Sequence, residues 1–327
     1  MSALKNLFSY ATKELSQDAF LLWLINNWDC DDKEVKIISK AFINEICGID
    51  VHNIISIDTM KQEKDMDISA RITYKDGSKK ALFIEDKTTS NEHNQLIKYN
   101  SEITSLNSKE KFQEIRKVFY KTHFVYDDER DRVQNAGWEI VEMNDIAEFW
   151  KRYEKSTNMI IQMYAKHIGE INNILISTIK PADNNVYLWE SFFYNNVVPK
   201  LKKSIKESFN YKIEVYMKQY TYLALYPGKL SKGAPYLEVR SRECLNDDFI
   251  SRVQIYYVDK KYVDIKEDMI KIMQKYGYFT TFEKKKNEIG KYKSTVVDEE
   301  NFINEIIKSL QEFSKVFSEY VKNKGIR

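Results

Sequence analysis

The sequence contains few of the residues that interrupt regular structure or form covalent cross-links. Among its 327 residues are 9 glycines, 4 prolines and 3 cysteines. Cys30, Cys47 and Cys244 are odd in number and lack C-x-x-C spacing, which argues against both a disulfide framework and a zinc site. No window approaches the roughly 18 uninterrupted apolar residues of a membrane span, and no long apolar stretch follows the amino terminus. We therefore expect an ordered, soluble protein in the reducing cytoplasm.

Charge is abundant but unevenly distributed. Hydrophobic residues make up 43% and charged residues 31% of a chain that is long enough for two domains. Residues 1–150 contain 20 Lys and Arg against 27 Asp and Glu, which leaves 31 against 22 for residues 151–327 out of totals of 51 and 49. The split suggests acidic chemistry in the first half and contact with a polyanion in the second, although a solvated lysine-rich surface is the commoner cause of a modest excess.

The spacing of apolar residues in the first half indicates helices followed by strands and then an alternation of the two. We predict helices at 4–27 and 31–46, strands at 52–64, 67–74 and 79–87, a helix from Gln95 onward, a strand at 117–125, a helix at 127–135 and a short strand at 138–141. Thr88 to Asn91 supplies capping residues for the helix that starts at Gln95.

The hairpin that joins the second and third strands has a register that its hydrophobic pattern selects. A two-residue turn at Asp76-Gly77 would mix polar and apolar residues on both faces, so we reject it. A three-residue loop from Lys75 to Gly77, with the glycine in the left-handed conformation, pairs Tyr74 with Ser78 instead. One face of the hairpin then carries Ile68, Ala70, Ile72, Leu82 and Ile84, and the other face carries Asp67, Glu85 and Lys87.

Asp67 on one strand and Glu85-Asp86-Lys87 on the next form a pattern that resembles the PD-(D/E)xK nuclease superfamily. Many type II restriction endonucleases share the fold of that superfamily. The proline that names the motif is absent here, since Met66 precedes Asp67, but metal binding does not need it. The resemblance implies an α/β (α+β) fold, a restriction-endonuclease-like mixed β-sheet flanked by helices.

Two further features extend the resemblance over roughly residues 1–152. One is a glutamate on the leading helix, Glu14, and the other is a Gln-x-x-x-Tyr on the helix after the motif, formed by Gln95 and Tyr99. Gln95 would lie near the attacking water or the motif lysine, and Tyr99 near the phosphate. Each feature also has a purely structural explanation. Glu14 and Asp18 could form a solvated edge of their helix, and Gln95 and Tyr99 could be packing residues.

Phosphodiester hydrolysis needs charge neutralised at the scissile phosphate and an activated water, and Mg²⁺ held by one or two carboxylates supplies both. We expect Asp67 and Glu85 to be the metal ligands, with Mn²⁺ as a substitute for Mg²⁺. Lys87 would orient or deprotonate the water, or stabilise the developing negative charge. Glu14 would reach the metal directly or through water. By resemblance, the backbone carbonyl of Asp86 completes the coordination while its side chain points to the opposite face.

Two alternatives stay open for the central residues. Glu85 and Lys87 could be an ordinary ion pair on one strand face, although a single fold explains them together with the other motif residues. Asp65 shares strand parity with Asp67, and a slip of two residues would exchange the two carboxylates. Asp67 is preferred because it directly precedes the apolar alternation of its strand.

Beyond residue 152 the resemblance fades. We predict a helical bridge and linker at 153–182 and a basic α+β accessory domain at 183–327 that serves substrate binding, regulation or dimerisation. Its expected elements are a helix at 187–209, strands at 211–217, 222–226, 236–240 and 252–257, and helices at 265–276 and 302–320. Lys284-Lys285-Lys286 on one side and Lys291 with Lys293 on the other flank a predicted turn. The residues assigned to nucleic-acid contact are Lys200, Lys203, Arg240, Arg242, Lys284, Lys285 and Lys286.

The sequence therefore predicts a cytoplasmic Mg²⁺-dependent nuclease. DNA is the expected substrate by family analogy, and defence against phage or other foreign DNA is suggested by how such nucleases are used. An RNA-cleaving nuclease and a non-catalytic nucleic-acid-binding or interaction module stay open as alternatives. The intact Asp67, Glu85 and Lys87 favour an enzyme, since a binding module has no need of carboxylates that repel phosphate. Double-strand cleavage by one site per chain would favour a homodimer.

Overall fold

The computed structural model describes residues 6–10, 14–90, 92, 94–178, 185–208, 211–217, 221–227, 234–243, 248–254, 265–278, 288–295 and 299–324. The chain divides into two compact units, Met1–Leu175 and Ile176–Arg327. The helix at Met159–Leu175, which we assigned to a bridge, belongs to the first unit, because Ile161 and Ile168 are buried in the core of that unit.

The first unit contains a five-stranded sheet with the strand order β1-β2-β3-β4-β5. The strands are β1 (Ile54–Glu63), β2 (Met66–Tyr74), β3 (Lys79–Lys87), β4 (Glu114–Lys121) and β5 (Glu139–Val141). β1, β2 and β3 pair antiparallel, whereas β4 pairs in parallel with both β3 and β5. The carboxyl ends of β3 and β4 therefore lie side by side, and Lys87 pairs with Lys121.

Helices cover both faces of this sheet. They are α1 (Glu14–Asn26), α2 (Lys33–Ala41), which continues as a π-helical turn (Phe42–Ile46), α3 (Gln95–Glu110), α4 (Asp127–Asn135), α5 (Met143–Lys151) and α6 (Met159–Leu175). One face packs Ile68, Leu82 and Ile84 against α1, α2, α5 and α6. The other packs Phe83 and Phe119 against α3. This mixed sheet flanked by helices confirms the predicted α+β class and is compatible with a restriction-endonuclease-like fold.

The predicted helix at 4–27 is wrong in its first half. Leu7–Ser9 form a single 3-10 turn, and α1 begins only at Glu14. The side chain of Asn6 accepts a hydrogen bond from the Phe8 N–H at 3.0 Å, which caps the short turn. Phe8 is buried in the core from this separate turn. As a consequence Glu14 lies in the first turn of α1, at the positive end of the helix dipole.

The hairpin between β2 and β3 has the predicted register. Ile68 pairs with Ile84, and the loop closes with a 2.9 Å hydrogen bond from the Gly77 N–H. Gly77 has a φ of +82°, a conformation that glycine adopts without steric cost. The three-residue loop is therefore confirmed, and Asp67 and Glu85 occupy facing positions at the ends of their strands.

The turn between β1 and β2 is strained, unlike the loop at Gly77. Glu63 pairs with Met66, so Lys64 and Asp65 form a two-residue turn with φ values of +57° and +70°. The left-handed conformation costs a residue with a Cβ about 1–2 kcal/mol. We expect Lys64→Gly to raise the free energy of unfolding by about 0.5–1 kcal/mol, because the relieved strain exceeds the added chain entropy. Denaturant unfolding measures the change, and equal stability of Lys64→Gly and Lys64→Ala would contradict it.

The second unit contains another five-stranded sheet, with the strand order β10-β9-β8-β7-β6 and antiparallel pairing throughout. Its strands are β6 (Tyr211–Met217), β7 (Thr221–Pro227), β8 (Tyr236–Arg240), β9 (Asp248–Gln254) and β10 (Glu288–Thr295). Its helices are α7 (Val186–Phe192), which runs through a π-helical turn (Phe193–Val197) into α8 (Val198–Ser208), α9 (Ile265–Tyr276) and α10 (Glu299–Lys324). The predicted second α+β domain is confirmed.

The turn predicted between Lys286 and Lys291 is wrong over the described residues of that stretch, because β10 already begins at Glu288. Lys291 and Lys293 lie within β10, where Lys291 pairs with Arg252 and Lys293 with Ile250. Lysines that alternate with other residues are typical of a strand with one solvated face. In the sequence, their charge makes this strand resemble a loop. Lys284, Lys285 and Lys286 lie outside the described residues.

Across the described ranges, none of the helices combines the length and apolar character that a membrane crossing requires.

Candidate active site

Strand β3 ends in three consecutive charged residues that are all buried. Alternate residues of a strand point to opposite faces, so Glu85 and Lys87 share the face of the sheet that α3 covers, while Asp86 points toward α1. The exposed fraction of Glu85 is 1%. On the opposite face, the Gln17 amide donates to Asp86 Oδ1 at 2.5 Å. The side chain of Asp86 thus points away from its two neighbours.

Asp67 and Glu14 complete an acidic cluster around Lys87. The Lys87 Nζ atom lies 2.6 Å from Glu85 Oε1 and 4.0 Å from Glu14 Oε2. The backbone N–H of Asp86 donates to Asp67 Oδ2 at 2.9 Å. The structure therefore brings together the lysine and the carboxylates that the sequence analysis assigned to a metal site.

The geometry distinguishes Asp67 from Asp65. The side chain of Asp65 is 74% exposed in the β1–β2 turn and pairs with Lys98 at 2.6 Å. Asp67 lies within β2, and its carboxyl group interacts with Glu85 and Lys87. A slip that would exchange the two aspartates does not occur, because the β2–β3 register is fixed. Asp67 is therefore the carboxylate that faces the motif strand.

Helix α1 contributes two buried polar residues, Gln17 and Asp18, that we did not predict to be part of the site. Besides its bond to Asp86, Gln17 Nε2 lies 3.4 Å from Oγ1 of Thr122, the residue that directly follows β4. Asp18 is 1% exposed, so it is not part of a solvated helix edge. The only signal in the sequence is their position one turn after Glu14. Their burial depends on the packing of α1 against the sheet.

Burial raises the pKa of several carboxyl groups in the cluster. It raises the pKa of Glu85 to about 8, with Lys87 lowering the value and Asp67 raising it further. Burial and then repulsion from Asp67 raise the pKa of Asp18 to about 6. Burial also raises the pKa of Asp86 well above its ordinary value. Burial lowers the pKa of Lys87, but Glu85 and Asp67 outweigh this effect, so its pKa is raised. The cluster therefore contains more carboxyl groups than the single positive charge of Lys87 can neutralise.

The EDTA-treated protein is expected to lose stability as the pH rises from about 5 to about 8. The pKa of Glu85 is about 8 in the folded chain against an ordinary value of 4.5, so in this range the folded state retains a proton that the unfolded state has released. The free energy of unfolding therefore falls as the pH rises, by on the order of 2 kcal/mol. Thermal melts across this range measure the slope. Glu85→Gln should reduce the slope, while Asp18 and Asp86, whose pKa values are also raised, maintain part of it. An unchanged slope in that variant would contradict the assignment.

The two residues of the Gln-x-x-x-Tyr pattern lie in different environments. Tyr99 is buried, and its hydroxyl donates to the carbonyl of Asp65 at 2.9 Å. It thereby holds the strained turn that precedes Asp67. Gln95 is exposed at the first residue of α3. The geometry supports a positioning role for Tyr99, and the contacts of Tyr99 with phosphate and of Gln95 with water stay predictions.

The oxygen atoms of the cluster suit a hard divalent cation. Among the described residues around the end of β3, three carboxylate oxygens are buried without a hydrogen-bond partner: Glu85 Oε2 on the face that α3 covers, and Asp18 Oδ1 and Asp86 Oδ2 on the side of α1. Such atoms are costly to bury unpaired, and carboxylate oxygens are the ligands that Mg²⁺ takes. No group of three His, Cys, Asp or Glu side chains among the described residues is already arranged for metal binding. Lys87 occupies only Glu85 Oε1, so a cation would compete with Lys87 for that oxygen, whereas Oε2 has no hydrogen-bond partner among the described residues.

The basic residues that we assigned to nucleic-acid contact differ in exposure. Lys200 and Lys203 are exposed on α8. Arg242 is 47% exposed. Arg240 forms an ion pair with Glu238, which lies two residues earlier on the same face of β8. The guanidinium of Arg240 is thus part of the ion pairs of its own sheet, and its contact with nucleic acid stays a prediction. A nucleic-acid contact of the other residues stays a prediction.

Neither a protein-family model nor a curated protein matches the sequence. Among solved structures, the chain is similar to the MspJI restriction endonuclease in complex with a 27-mer oligonucleotide. The match has 13% sequence identity and a TM-score of 0.23, and it covers 55% of this chain and 39% of that chain. A similarity of this extent gives no information on function. Conclusions about activity therefore depend on the geometry of the site.

Proposed function

We propose that the protein is a Mg²⁺-dependent nuclease that hydrolyses phosphodiester bonds, with Mn²⁺ as a substitute ion. One observation carries the proposal: Asp67, Glu85 and Lys87 share one face at adjoining strand ends, with Lys87 Nζ 2.6 Å from Glu85 Oε1. Carboxylate ligands beside an ammonium group are what the hydrolysis of a phosphodiester needs, since negative charge must be neutralised while water attacks. The resemblance to the PD-(D/E)xK pattern supports the same function.

Each residue of the cluster has a role in this proposal. Asp67 and Glu85 would hold the ion, together with the Asp86 carbonyl and with Glu14 directly or through water. When bound, Mg²⁺ neutralises charge on the scissile phosphate and lowers the pKa of the attacking water. Lys87 carries a positive charge, because the surrounding carboxylates raise its pKa. It therefore orients the water or stabilises the developing negative charge, and burial strengthens that interaction.

We propose DNA as the substrate, with RNA as the second candidate and defence against foreign DNA as the biological role. The test incubates purified protein with plasmid, linear duplex DNA, single-stranded DNA and RNA, in Mg²⁺, Mn²⁺ or EDTA. Cleavage of DNA that EDTA abolishes is the expected result. Cleavage of RNA alone would change the substrate class. Binding without cleavage of any substrate would favour a non-catalytic module.

The described residues of each chain supply one cluster of this kind, so simultaneous cleavage of both strands at one position would use two chains. We therefore propose that the active form on duplex DNA is a homodimer. Sedimentation of the protein with and without duplex DNA tests this proposal, and a monomer that cuts both strands at one position would contradict it.

Lys200 and Lys203 are expected to contribute to nucleic-acid binding. They are exposed three residues apart on α8 and therefore lie on one side of that helix. Changing both to glutamine should weaken DNA binding and reduce the slope of log affinity against log salt by about 2. Fluorescence anisotropy at several salt concentrations measures both quantities. The matched control changes the exposed lysines Lys271 and Lys322 on other helices, and an equal loss in that control would indicate nonspecific charge effects.

A further inference from the structure

A second lysine lies beside the motif lysine and is completely buried. Lys121 ends β4 and pairs with Lys87 in the parallel register. Its Nζ atom lies 3.3 Å from Glu129 Oε1 on α4, and both side chains are 0% exposed. A buried ion pair contributes little net stability, because both charges lose their hydration. The burial of Lys121 and Glu129 is therefore not explained by a gain in the stability of the fold.

The same two side chains bind the backbone of the loop that follows β3. Lys121 Nζ donates to the carbonyl oxygen of Ser90. Glu129 Oε1 accepts a hydrogen bond from the Glu92 N–H at 2.8 Å. The ion pair thus fixes one acceptor and one donor of this loop at positions two residues apart. Hydrogen bonds to charged groups are the stronger kind, which makes this attachment specific.

The loop in turn binds Glu14. The Ser90 hydroxyl donates to Glu14 Oε1, and the Thr88 N–H lies 3.4 Å from the same atom. The other carboxylate oxygen, Glu14 Oε2, is 4.0 Å from Lys87 Nζ. A continuous series of contacts therefore runs from the buried pair through the loop to the edge of the acidic cluster.

We propose that Lys121 and Glu129 are positioning residues that hold the loop after β3 so that Glu14 stays beside Lys87. The inference rests on the proposed function, in which Glu14 contributes to metal binding. Lys121 does not act on the substrate itself, because its ammonium group is buried and bound to Ser90 and Glu129. Loss of the pair should release the loop and weaken the contribution of Glu14 to metal binding, while Asp67, Glu85 and Lys87 keep their places on the strands.

The test replaces both members of the pair. Lys121→Met/Glu129→Leu substitutes apolar groups of similar size and leaves no buried charge unpaired. Lys117→Met is the matched control, because Lys117 lies on the same face of β4 but donates to Asn100 Oδ1 at 3.0 Å instead of to the loop. In the double variant we expect amide exchange at 88–96 to be about tenfold faster and half-maximal cleavage to need about tenfold more Mn²⁺. The value of kcat at saturating Mn²⁺ should change much less, and the control should alter neither quantity.

Ser90→Ala gives an independent test that does not depend on folding of the double variant. Its exposed side chain loses only the hydroxyl that donates to Glu14, so the Mn²⁺ requirement should rise. Glu14→Gln should raise it more, and Ser90→Ala should add little in the Glu14→Gln background. Unchanged exchange at 88–96 in the double variant, or an unchanged Mn²⁺ requirement in Ser90→Ala, would overturn the inference. A wild-type protein that cleaves no substrate refutes the proposed function instead, and amide exchange then decides alone whether the pair holds the loop.

Discussion

Glu85→Gln should lower Mg²⁺-dependent cleavage about 10³-fold and leave the fold intact. The amide matches the carboxyl group in size and still accepts a hydrogen bond from Lys87, but it lacks the negative charge that holds a divalent cation. The side chain is 1% exposed, so water does little to weaken the interaction of that charge with an ion. Initial cleavage rates at saturating Mg²⁺ measure the loss, and thermal melts by circular dichroism verify the fold.

Asp65→Asn is the matched control for this substitution. Asp65 is the acidic residue nearest to Asp67 in sequence, yet its side chain is exposed in the β1–β2 turn and pairs with Lys98. Removal of its charge should leave the cleavage rate close to that of the wild type. A Glu85→Gln protein that cleaves at the wild-type rate, or an equally severe loss in Asp65→Asn, would show that the metal ligands lie elsewhere.

The β2–β3 hairpin could be predicted from the sequence because its determinants are local. Gly77 supplies the left-handed conformation that the three-residue loop needs. The alternation of apolar residues around Ile68 and Ile84 then selects one register, since a slip of one residue would bury the polar face. The facing positions of Asp67 and Glu85 follow from that register alone. The central residues of the candidate site could therefore be predicted from the β2–β3 hairpin alone.

The remainder of the site depends on contacts between distant segments, which apolar periodicity does not reveal. Gln17 bonds to Asp86 across 69 residues of sequence, and Asp18 resembles a solvated residue until α1 is packed against the sheet. Lys121 and Glu129 also resemble ordinary surface charges, because the sequence does not show that the end of β4 and the start of α4 are buried. Burial of charged groups is a tertiary property, and it appears only when the layers of the fold are assembled.

Lys87→Met should lower cleavage about 10³-fold while it strengthens the binding of a divalent cation. The Lys87 Nζ atom lies 2.6 Å from Glu85 Oε1 and competes with a cation for that oxygen. Methionine fills similar space without charge, so Glu85 and Asp67 become freer to bind an ion. Titration calorimetry with Mn²⁺ at pH 8.5 should show severalfold tighter binding. Cleavage should still be lost, because no ammonium group remains to orient water or stabilise the developing charge.

Calorimetry on Lys87→Met and Glu85→Gln together separates a metal site from a structural ion pair. If Glu85 is a ligand and Lys87 its competitor, Mn²⁺ binding tightens in the first variant and weakens in the second. If the two residues only stabilise the strand, both substitutions lower the melting temperature and neither alters Mn²⁺ binding. Lys98→Met, which removes an exposed lysine paired with Asp65, should leave both binding and cleavage unchanged. Opposite shifts in binding with loss of cleavage in both variants would therefore assign Glu85 to the metal and Lys87 to the chemistry.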